Sequence, residues 1–368
     1  MAGSLAPLAA GLYPVMLTPF TPDGSSVDYP VLEALTRWYL DNGAAGLFPV
    51  AQSSEMYNLQ AEERIACAKV VKAAAQGWHA ARGGAGRAPV VCAAGTFEGS
   101  VEEKAAFARR MHEEGGADVV VVLVCMMAAQ EEDDAAWKAN AEQFMALTGD
   151  VPLGLYECPA PYHRLLTPAT LRWLADSGRF RFHKDTSRRN DLISEKLAAL
   201  EGHGGPFRWY NGNCTTLLHS LQAGGDGFGG VTANYYPHLA AWLCAHWEDQ
   251  PAAAAKLQRF LTVAEGIVKQ MYPASAKTYV AQCNPGFPLS GYCRNGSTFN
   301  DHPENVEKLE CLRAMEADMC AELGITVVPP SLDAASDAGK AAAAAATSLF
   351  AASSAGDGAA VPNALEFD

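Results

Sequence analysis

The chain of 368 residues is 49% hydrophobic and 18% charged, which is enough to bury the core of one large domain with an appendage, or of two domains. Its formal net charge is −14, and no basic block offsets it. These values argue against a nucleic-acid backbone or an anionic membrane as the main partner, because both attract clustered Lys and Arg.

Short apolar segments alternate with segments of helical spacing from residue 11 to residue 236. Residues 119–125 form an uninterrupted apolar run, which is typical of a strand covered on both faces in a parallel sheet. Helices are predicted between the strands, and Ser100 with Glu103 predicts a capping box at the start of one of them. The predicted strands are, in chain order, residues 12–17, 46–50, 89–95, 118–125, 152–156, 180–184, 207–212 and 227–231.

Eight strand–helix alternations predict an α/β fold with a parallel sheet, and the (β/α)8 TIM barrel fits this number of units. A doubly wound open sheet is the alternative, but it usually has fewer repeats, and no GxGxxG follows the first strand. We assign residues 1–10 to an N-terminal lead and residues 11–236 to a catalytic barrel. Residues 237–328 are assigned to a C-terminal helical domain. Residues 329–368, rich in Ala, Ser, Gly and Asp, are expected to be a disordered low-complexity tail.

The sequence shows no membrane span and no secretion signal. Its longest strongly apolar run, residues 119–129, is far shorter than the ~20 residues that a bilayer requires. The ten cysteines form no CxxC pair and no zinc-type cluster with histidine. We therefore expect a cytoplasmic protein with reduced thiols and without a membrane or nucleic-acid partner.

The carboxyl ends of barrel strands and the loops after them carry the chemistry of such folds. Lys184 ends the sixth strand and shares one strand face with Phe180 and Phe182. A buried ammonium is costly, so either Lys184 reaches water past the strand end or its amine has a chemical task. The other candidates at these ends are Gln52, Ser53 and Ser54 after the second strand, Tyr156 and Glu157 at the fifth, and Gly229 in the eighth.

These residue types suggest a class I aldolase that acts on a 2-oxo acid. An amine in a water-poor site has a lowered pKa, and its neutral form can attack a ketone to form a Schiff base. Tyr156 could move the protons of that condensation, while serine hydroxyls and backbone N–H groups could hold a carboxylate. Each residue also has a simpler interpretation: a lysine that closes a strand is more often a solvated edge residue, and Ser53 and Ser54 could cap the next helix.

Four segments carry a resemblance: LFPVAQSSEMYNLQAEER, PLGLYECPAP, HKDTS and NGNCTTLLHSLQAGGDGFGGVTANYYP. In order and spacing they resemble the dihydrodipicolinate synthase/N-acetylneuraminate lyase family, over roughly residues 11–323. The resemblance implies that Lys184 forms the Schiff base, that Tyr156 is the acid/base, and that Ser53 binds the carboxylate of a pyruvate-like 2-oxo acid beside the backbone of Gly229. It also implies a homo-oligomer, a tetramer or a dimer, that needs no metal or organic cofactor.

The chain departs from the family's synthase pattern where the second substrate would bind. Gln52 replaces the first threonine of the family's pair, so one hydroxyl of the proton relay is missing. Residues 126–127 are methionines near the place of a tyrosine that the synthase donates to a neighbouring subunit. Pro161 stands at the position of the synthase's substrate-binding arginine, with Arg164 three residues further on. The 2-oxo acid half of the site therefore looks complete, and the second half does not look like that of a lysine-biosynthesis synthase.

The leading interpretation is a Schiff-base aldolase or lyase that forms or cleaves a carbon–carbon bond to pyruvate or a related 2-oxo acid. Gln52, Glu157 and His163 around the mouth favour a polar, hydroxylated second substrate. One alternative is a dehydratase or aldolase that acts on a 2-keto-3-deoxy sugar acid through the same imine. Another is a barrel that binds a 2-oxo acid without turnover, which the lost relay groups favour and the retained Lys184 and Tyr156 oppose.

Overall fold

The computed structural model describes residues 7–333 and 337–351. The strands are β1 (Gly11–Leu12), β2 (Gly46–Val50), β3 (Val90–Ala94), β4 (Val119–Leu123), β5 (Leu153–Tyr156), β6 (Phe180–Asp185), β7 (Arg208–Asn211) and β8 (Gly227–Phe228). The helices are α1 (Tyr29–Asp41), α2 (Ala61–Ala81), α3 (Val101–Glu113), α4 (Asp134–Leu147), α5 (Pro168–Asp176), α6 (Asn190–Leu200), α7 (Leu217–Gln222), α8 (Pro237–His246), α9 (Pro251–Val268), α10 (Ala274–Cys283), α11 (Pro303–Leu323) and α12 (Asp337–Ala351).

The eight strands form one parallel sheet in the order β1, β8, β7, β6, β5, β4, β3, β2. Hydrogen bonds from the end of β1, and from residues that follow it, connect the outer strands β1 and β2. The backbone N–H of Ala45 donates to the carbonyl of Leu12 at 2.8 Å, and that of Met16 donates to the carbonyl of Phe48 at 3.0 Å. These bonds bring the edges together, so the structure confirms the predicted (β/α)8 barrel and excludes the open sheet.

Local sequence signals set the starts of the helices that connect the strands. The Ser100 hydroxyl accepts a hydrogen bond from the Glu103 backbone N–H, and the Glu103 carboxylate accepts one from the Ser100 N–H at 2.8 Å, which confirms the capping box of α3. Thr167 caps α5, and Pro168 occupies its first turn, where the missing N–H costs nothing. These local signals therefore determine where each of the two helices begins after its strand.

A layer of aromatic rings fills the barrel below the carboxyl ends of its strands. The Phe182 ring stacks on Tyr210 with centroids 4.9 Å apart and meets Phe48 edge-on at 5.7 Å. Every residue of β4 is buried, as its apolar run predicts. Because this layer is dry, the next inward-facing side chain on β6, two residues after Phe182, is cut off from water on its lower side.

Helices α8 to α11 follow the barrel and pack into a second apolar cluster beside β1 and β8. Its members include Leu12, Phe228, Leu257 and Leu312. Among the helices in the described part of the chain, none is long and apolar enough to cross a membrane. The predicted division at residue 237 agrees with the change from barrel units to consecutive helices, but it stays a prediction. Residues 1–6 of the predicted N-terminal lead lie outside the described residues.

The structure corrects the prediction of a disordered tail for residues 337–351. Helix α12 packs against α1 and α2, with Ala343 and Ala346 buried and the Phe350 ring stacked on Tyr29. The prediction rested on the lack of large apolar residues. Small side chains nevertheless let two alanine-rich helices approach closely and bury area together. Residues 334–336 and 352–368 of the predicted tail lie outside the described residues.

Candidate active site

Lys184 and Tyr156 are neighbours at the carboxyl ends of β6 and β5. They are register partners across the two strands, and the Lys184 ammonium nitrogen lies 4.1 Å from the centre of the Tyr156 ring. Lys184 is only 4% exposed. Burial lowers the pKa of Lys184 to about 7, against an opposing effect of Cys158 and with a further lowering by the charge of Arg188. A large fraction of this amine is therefore neutral and nucleophilic near neutral pH.

Two glycines leave the space that the lysine side chain occupies. A Cβ atom at Gly212, just after β7, would lie 3.1 Å from the Cε atom of Lys184 and 2.6 Å from the carbonyl oxygen of Asp185. A Cβ atom at Gly229 would lie 3.9 Å from the Cδ atom of Lys184. The predicted position Gly229 thus lies beside Lys184, and Gly212 is a second such position that the sequence analysis did not select.

The Tyr156 hydroxyl is directed at Gln52, the residue that replaces the family's first threonine. It donates a hydrogen bond to the Gln52 side-chain oxygen at 3.3 Å. Burial raises the pKa of Tyr156 well above its ordinary value, with Cys158 adding to the effect, so the hydroxyl keeps its proton. The structure therefore brings Gln52, Tyr156 and Lys184 together, as expected from their strand ends.

The two predicted serines differ in the role that their hydroxyls play. The Ser54 hydroxyl donates to the carbonyl of Met16 at 2.7 Å and accepts from the Ala51 N–H at 3.1 Å. It therefore connects the turn after β2 to the segment that follows β1. Ser53 is buried in the 3₁₀ turn of residues 52–54. Its side chain hydrogen-bonds to Tyr272, whose pKa is raised by burial and only partly lowered by this bond. The Ser53 side chain therefore faces Tyr272, whereas the Ser54 hydroxyl is bonded to the backbone.

Tyr272 is a residue that the sequence analysis missed. It lies between α9 and α10, outside the barrel units, and its hydroxyl accepts a hydrogen bond from the Asn234 amide at 2.5 Å. Asn234 in turn accepts from the Tyr39 hydroxyl at 2.6 Å. A search restricted to strand ends cannot find such a residue, because the helical region supplies it. Its position links the helical region to the Ser53 turn.

Glu157 does not join this group, so the structure corrects its predicted place in the substrate site. Successive residues of a strand face opposite sides, and the inward position of Tyr156 sends Glu157 outward. The Glu157 carboxylate, which is completely buried, binds the ammonium of Lys196 on α6 at 2.6 Å. It is therefore part of the packing between barrel and helix.

The loop after β5 does not supply the arginine that Pro161 replaces. The Arg164 guanidinium donates to the carbonyl of Glu132 at 2.9 Å and pairs with Asp134 at 3.1 Å, so it stabilises the start of α4. His163 lies 2.8 Å from the Thr186 hydroxyl, and burial lowers the pKa of its imidazole. This loop therefore presents a neutral histidine beside the strand that carries Lys184.

The chain is similar in sequence to known proteins. The sequence model of the dihydrodipicolinate synthetase family matches residues 8–310. A 4-hydroxy-tetrahydrodipicolinate synthase of Ruegeria pomeroyi is 30% identical over 235 residues, which are 63% of this chain and 73% of that protein. YagE of Escherichia coli K12, named as a candidate 2-dehydro-3-deoxy-D-gluconate aldolase, is 29% identical over 255 residues, 67% of this chain and 77% of YagE.

The structure comparison concerns the fold. The crystal structure of YagE from E. coli K12 in complex with pyruvate superposes with a TM-score of 0.70 at 24% identity, covering 83% of this chain and 98% of that one. The family match spans the barrel and most of the helices after it, up to the first part of α11. The chain therefore belongs to the dihydrodipicolinate synthetase family and is an enzyme of the lyase type.

Proposed function

We propose that the protein is a Schiff-base aldolase that forms or cleaves a carbon–carbon bond to pyruvate or a related 2-oxo acid, with Lys184 as the imine-forming amine. A contrast among three buried lysines carries the proposal. Lys196 and Lys277 each hold a carboxylate, at 2.6 and 2.8 Å. In the described part of the chain, no carboxylate lies within 4.0 Å of the Lys184 amine. An unpaired buried amine is costly to keep, which is expected where it has a chemical task.

The proposed reaction begins with the addition of the neutral Lys184 amine to the C2 carbonyl of the 2-oxo acid. Tyr156 keeps its proton because it is buried, so it can protonate the hydroxyl of the adduct, which leaves as water to give a protonated imine. In the cleavage direction the Tyr156 phenolate left by this step accepts the proton of the substrate's 4-hydroxyl, and the C3–C4 bond breaks. The electron pair of that bond moves into an enamine as the aldehyde leaves.

The second half of the reaction releases the 2-oxo acid. The enamine takes a proton at C3, and water hydrolyses the imine to regenerate the lysine and free pyruvate. Tyr156, whose ring centre lies 4.1 Å from the Lys184 amine, is the group that moves these protons, and its hydroxyl is hydrogen-bonded to Gln52. Gln52 cannot itself ionise, so it orients the tyrosine hydroxyl rather than relaying a proton.

The turn of residues 52–54 is proposed to bind the carboxylate of the 2-oxo acid. The Ser53 hydroxyl and the backbone N–H groups of Gln52 and Ser53 are the proposed donors for this anion, since the Ser54 N–H already donates to the Ala51 carbonyl at 3.0 Å. Ser54 supports the turn from below through its bonds to Met16 and Ala51. Gly229, beside Lys184, leaves room for the substrate carbon chain.

The second substrate is proposed to be a hydroxylated aldehyde rather than aspartate semialdehyde. Pro161 cannot bind the carboxylate of aspartate semialdehyde, and Arg164 is held by α4. A charged hydrogen bond of that kind contributes ~1.5–3 kcal/mol, roughly one to two decades in specificity. The similarity to YagE favours a sugar-derived 2-oxo acid. A dehydratase that uses the same imine and a binder without turnover are the alternatives, and a homo-oligomer in the cytoplasm stays a prediction.

A screen of 2-keto-3-deoxy sugar acids for pyruvate release tests this function. We expect at least one of them to be cleaved with a kcat/KM above that for the condensation of pyruvate with aspartate semialdehyde. Loss of water from the substrate without pyruvate release would identify a dehydratase. An imine with pyruvate but no turnover of any of these compounds would identify a binder. Efficient condensation, at ~10⁴ M⁻¹s⁻¹ or above, would contradict the proposed substrate class.

A further inference from the structure

A buried group of charged side chains lies on the outer face of β5 and β6, between these strands and α6. We call Glu157, Asp185 and Lys196 the ion triad. Lys196, the member on α6, is 2% exposed, and both carboxylates are completely buried. The Lys196 ammonium lies 2.6 Å from a carboxylate oxygen of Glu157, 2.6 Å from one of Asp185 and 2.8 Å from the Ser187 hydroxyl.

Two members of the ion triad directly follow the two residues of the proposed catalytic pair in the sequence. Glu157 comes directly after Tyr156, and Asp185 comes directly after Lys184. Since strand side chains alternate, Tyr156 and Lys184 face inward while the two carboxylates face outward. One ammonium therefore joins the carboxyl ends of both catalytic strands from behind.

Backbone hydrogen bonds extend this connection to the atoms around Lys184. The Glu157 N–H donates to the Lys184 carbonyl at 3.2 Å, and the Glu157 carboxylate accepts from the Thr186 N–H at 3.1 Å. The Thr186 hydroxyl donates to the Glu157 carbonyl at 2.6 Å. Glu157 thus binds the strand end before and the loop after Lys184, so a shift of its carboxylate would move both.

The cation of this cluster is an ammonium and not a metal ion. The ligand atoms of Glu157, His183 and Asp185 lie within 4.8 Å of one another, which could suit a metal. The Lys196 nitrogen, however, occupies the position between the two carboxylates. Burial alone would lower the pKa of Lys196, but the charges of Glu157 and Asp185 raise it, so the ammonium stays charged.

We propose that Lys196 is a positioning residue, which holds Tyr156 and Lys184 at their working separation by joining Glu157 to Asp185. This role rests on the proposed function. A buried ion pair adds little net stability compared with apolar packing, whereas loss of one partner leaves buried charge unpaired. The ion triad instead fixes the relative position of the carboxyl ends of β5 and β6. A displacement of about 1 Å in such a site can lower a rate by ~100-fold.

The test is Lys196→Met, which removes the ammonium and keeps a similar length. Borohydride trapping with pyruvate counts the sites that can form an imine, and kcat is then expressed per trapped site. Partial unfolding lowers trapping and turnover together, whereas mispositioning lowers turnover per trapped site. We expect Lys196→Met to lower kcat per trapped site by about tenfold or more. An unchanged value would overturn the positioning role.

Lys72→Met is the matched control. Lys72 also pairs with an aspartate, Asp118, at 2.6 Å, but at the amino ends of β3 and β4, at the opposite end of the barrel. Its kcat per trapped site should equal that of the wild type. If Lys196→Met does not fold, Ser187→Ala removes one partner of the ammonium and keeps all charges, and it should show a smaller loss in the same direction. Equal values for Ser187→Ala and wild type would count against the proposal.

The same measurements separate this inference from the proposed function. A wild-type protein that forms no imine with pyruvate or with sugar-derived 2-oxo acids would overturn the proposed function and the positioning role together. A wild type that forms the imine and turns over, with a Lys196→Met variant of equal kcat per trapped site, would overturn the positioning role alone.

Discussion

The hydroxyl of Tyr156 donates a hydrogen bond to the side-chain oxygen of Gln52 at 3.3 Å, on the side of the tyrosine ring that faces the turn after β2. This contact replaces the hydroxyl-to-hydroxyl step that a threonine at position 52 would provide. It leaves Tyr156 as the proposed acid–base group next to Lys184. The role of Tyr156 is therefore the first point to test.

Tyr156→Phe should lower turnover by ~10²–10⁴-fold, the usual contribution of a general acid–base group, while imine formation with pyruvate continues more slowly. Kinetics with a sugar-derived 2-oxo acid and borohydride trapping measure the two effects. Tyr210→Phe is the control, because Tyr210 lies in the same barrel but its hydroxyl donates to the Ala9 carbonyl. Full activity in Tyr156→Phe would mean that another group, such as His163, moves the proton.

The rate of imine formation should depend on pH through the Lys184 amine. Burial lowers the pKa of Lys184 to about 7, so the rate with excess pyruvate should rise through pH 7 and level off above it. The charge of Arg188 contributes to this lowering. Arg188→Gln should therefore move the midpoint to higher pH. A midpoint that stays in place, or moves to lower pH, would show that Arg188 has no such effect on the amine.

Lys184→Met should raise the melting temperature near pH 7, because the folded chain no longer buries an unpaired amine. A gain of ~1 kcal/mol corresponds to about 2–4 °C. Between pH 7 and about 10.5, the Lys184 amine of the wild type is protonated in the unfolded chain but not in the folded chain. Wild-type stability therefore rises with pH over this range, and the stability gain of Lys184→Met becomes smaller. Calorimetry of both proteins at several pH values measures the difference in melting temperature.

Lys277→Met provides the matched contrast. The Lys277 ammonium is paired with Glu55 at 2.8 Å and also donates to the Tyr292 carbonyl. Its loss leaves the buried Glu55 carboxylate without this counter-charge, with the Asn295 N–H still donating to it, and breaking a buried ion pair in this way typically costs ~3–5 kcal/mol. Opposite signs of the change in melting temperature are expected for the two lysines. Two losses of equal size would show that Lys184 is an ordinary structural lysine.

The last described helix, α12, should contribute to stability. Ala343 is buried between α12 and the helices beneath it, whereas Ala345 is exposed on the same helix. Ala343→Lys should lower the melting temperature by several degrees, because the lysine chain cannot fit between packed helices. Ala345→Lys should leave it unchanged. Equal melting temperatures for both variants and the wild type would show that α12 does not dock on the barrel in solution.

The sequence was sufficient to predict the barrel and three side chains that lie together at its strand ends. Hydrophobic runs and their spacing predicted eight strand–helix units, and the rule that chemistry lies at strand ends selected Lys184, Tyr156 and Gln52, which the structure brings together. The same rule also selected Glu157, because it was applied without the alternation of side chains along a strand. Tyr156 and Glu157 cannot both face inward, and Glu157 faces α6.

Other features depend on contacts between distant segments. Tyr272 reaches the Ser53 turn from the helices after the barrel, and no local pattern in the sequence marks it. The sequence around Lys196 has the spacing of an ordinary helix. Only the structure shows that the Lys196 ammonium lies between two carboxylates from different strands. The docking of α12 depends on small residues that match the surface of α2, which composition alone does not predict.

Identification of the residue that carries the imine tests the central claim most directly. The protein is incubated with pyruvate and sodium borohydride, digested, and analysed by mass spectrometry. We predict one reduced adduct, on Lys184, which is absent from Lys184→Ala and retained in Lys277→Ala, provided that the latter variant is folded. An adduct on Lys277 or Lys196, or one of equal amount in Lys184→Ala, would contradict the assignment of Lys184 as the catalytic amine.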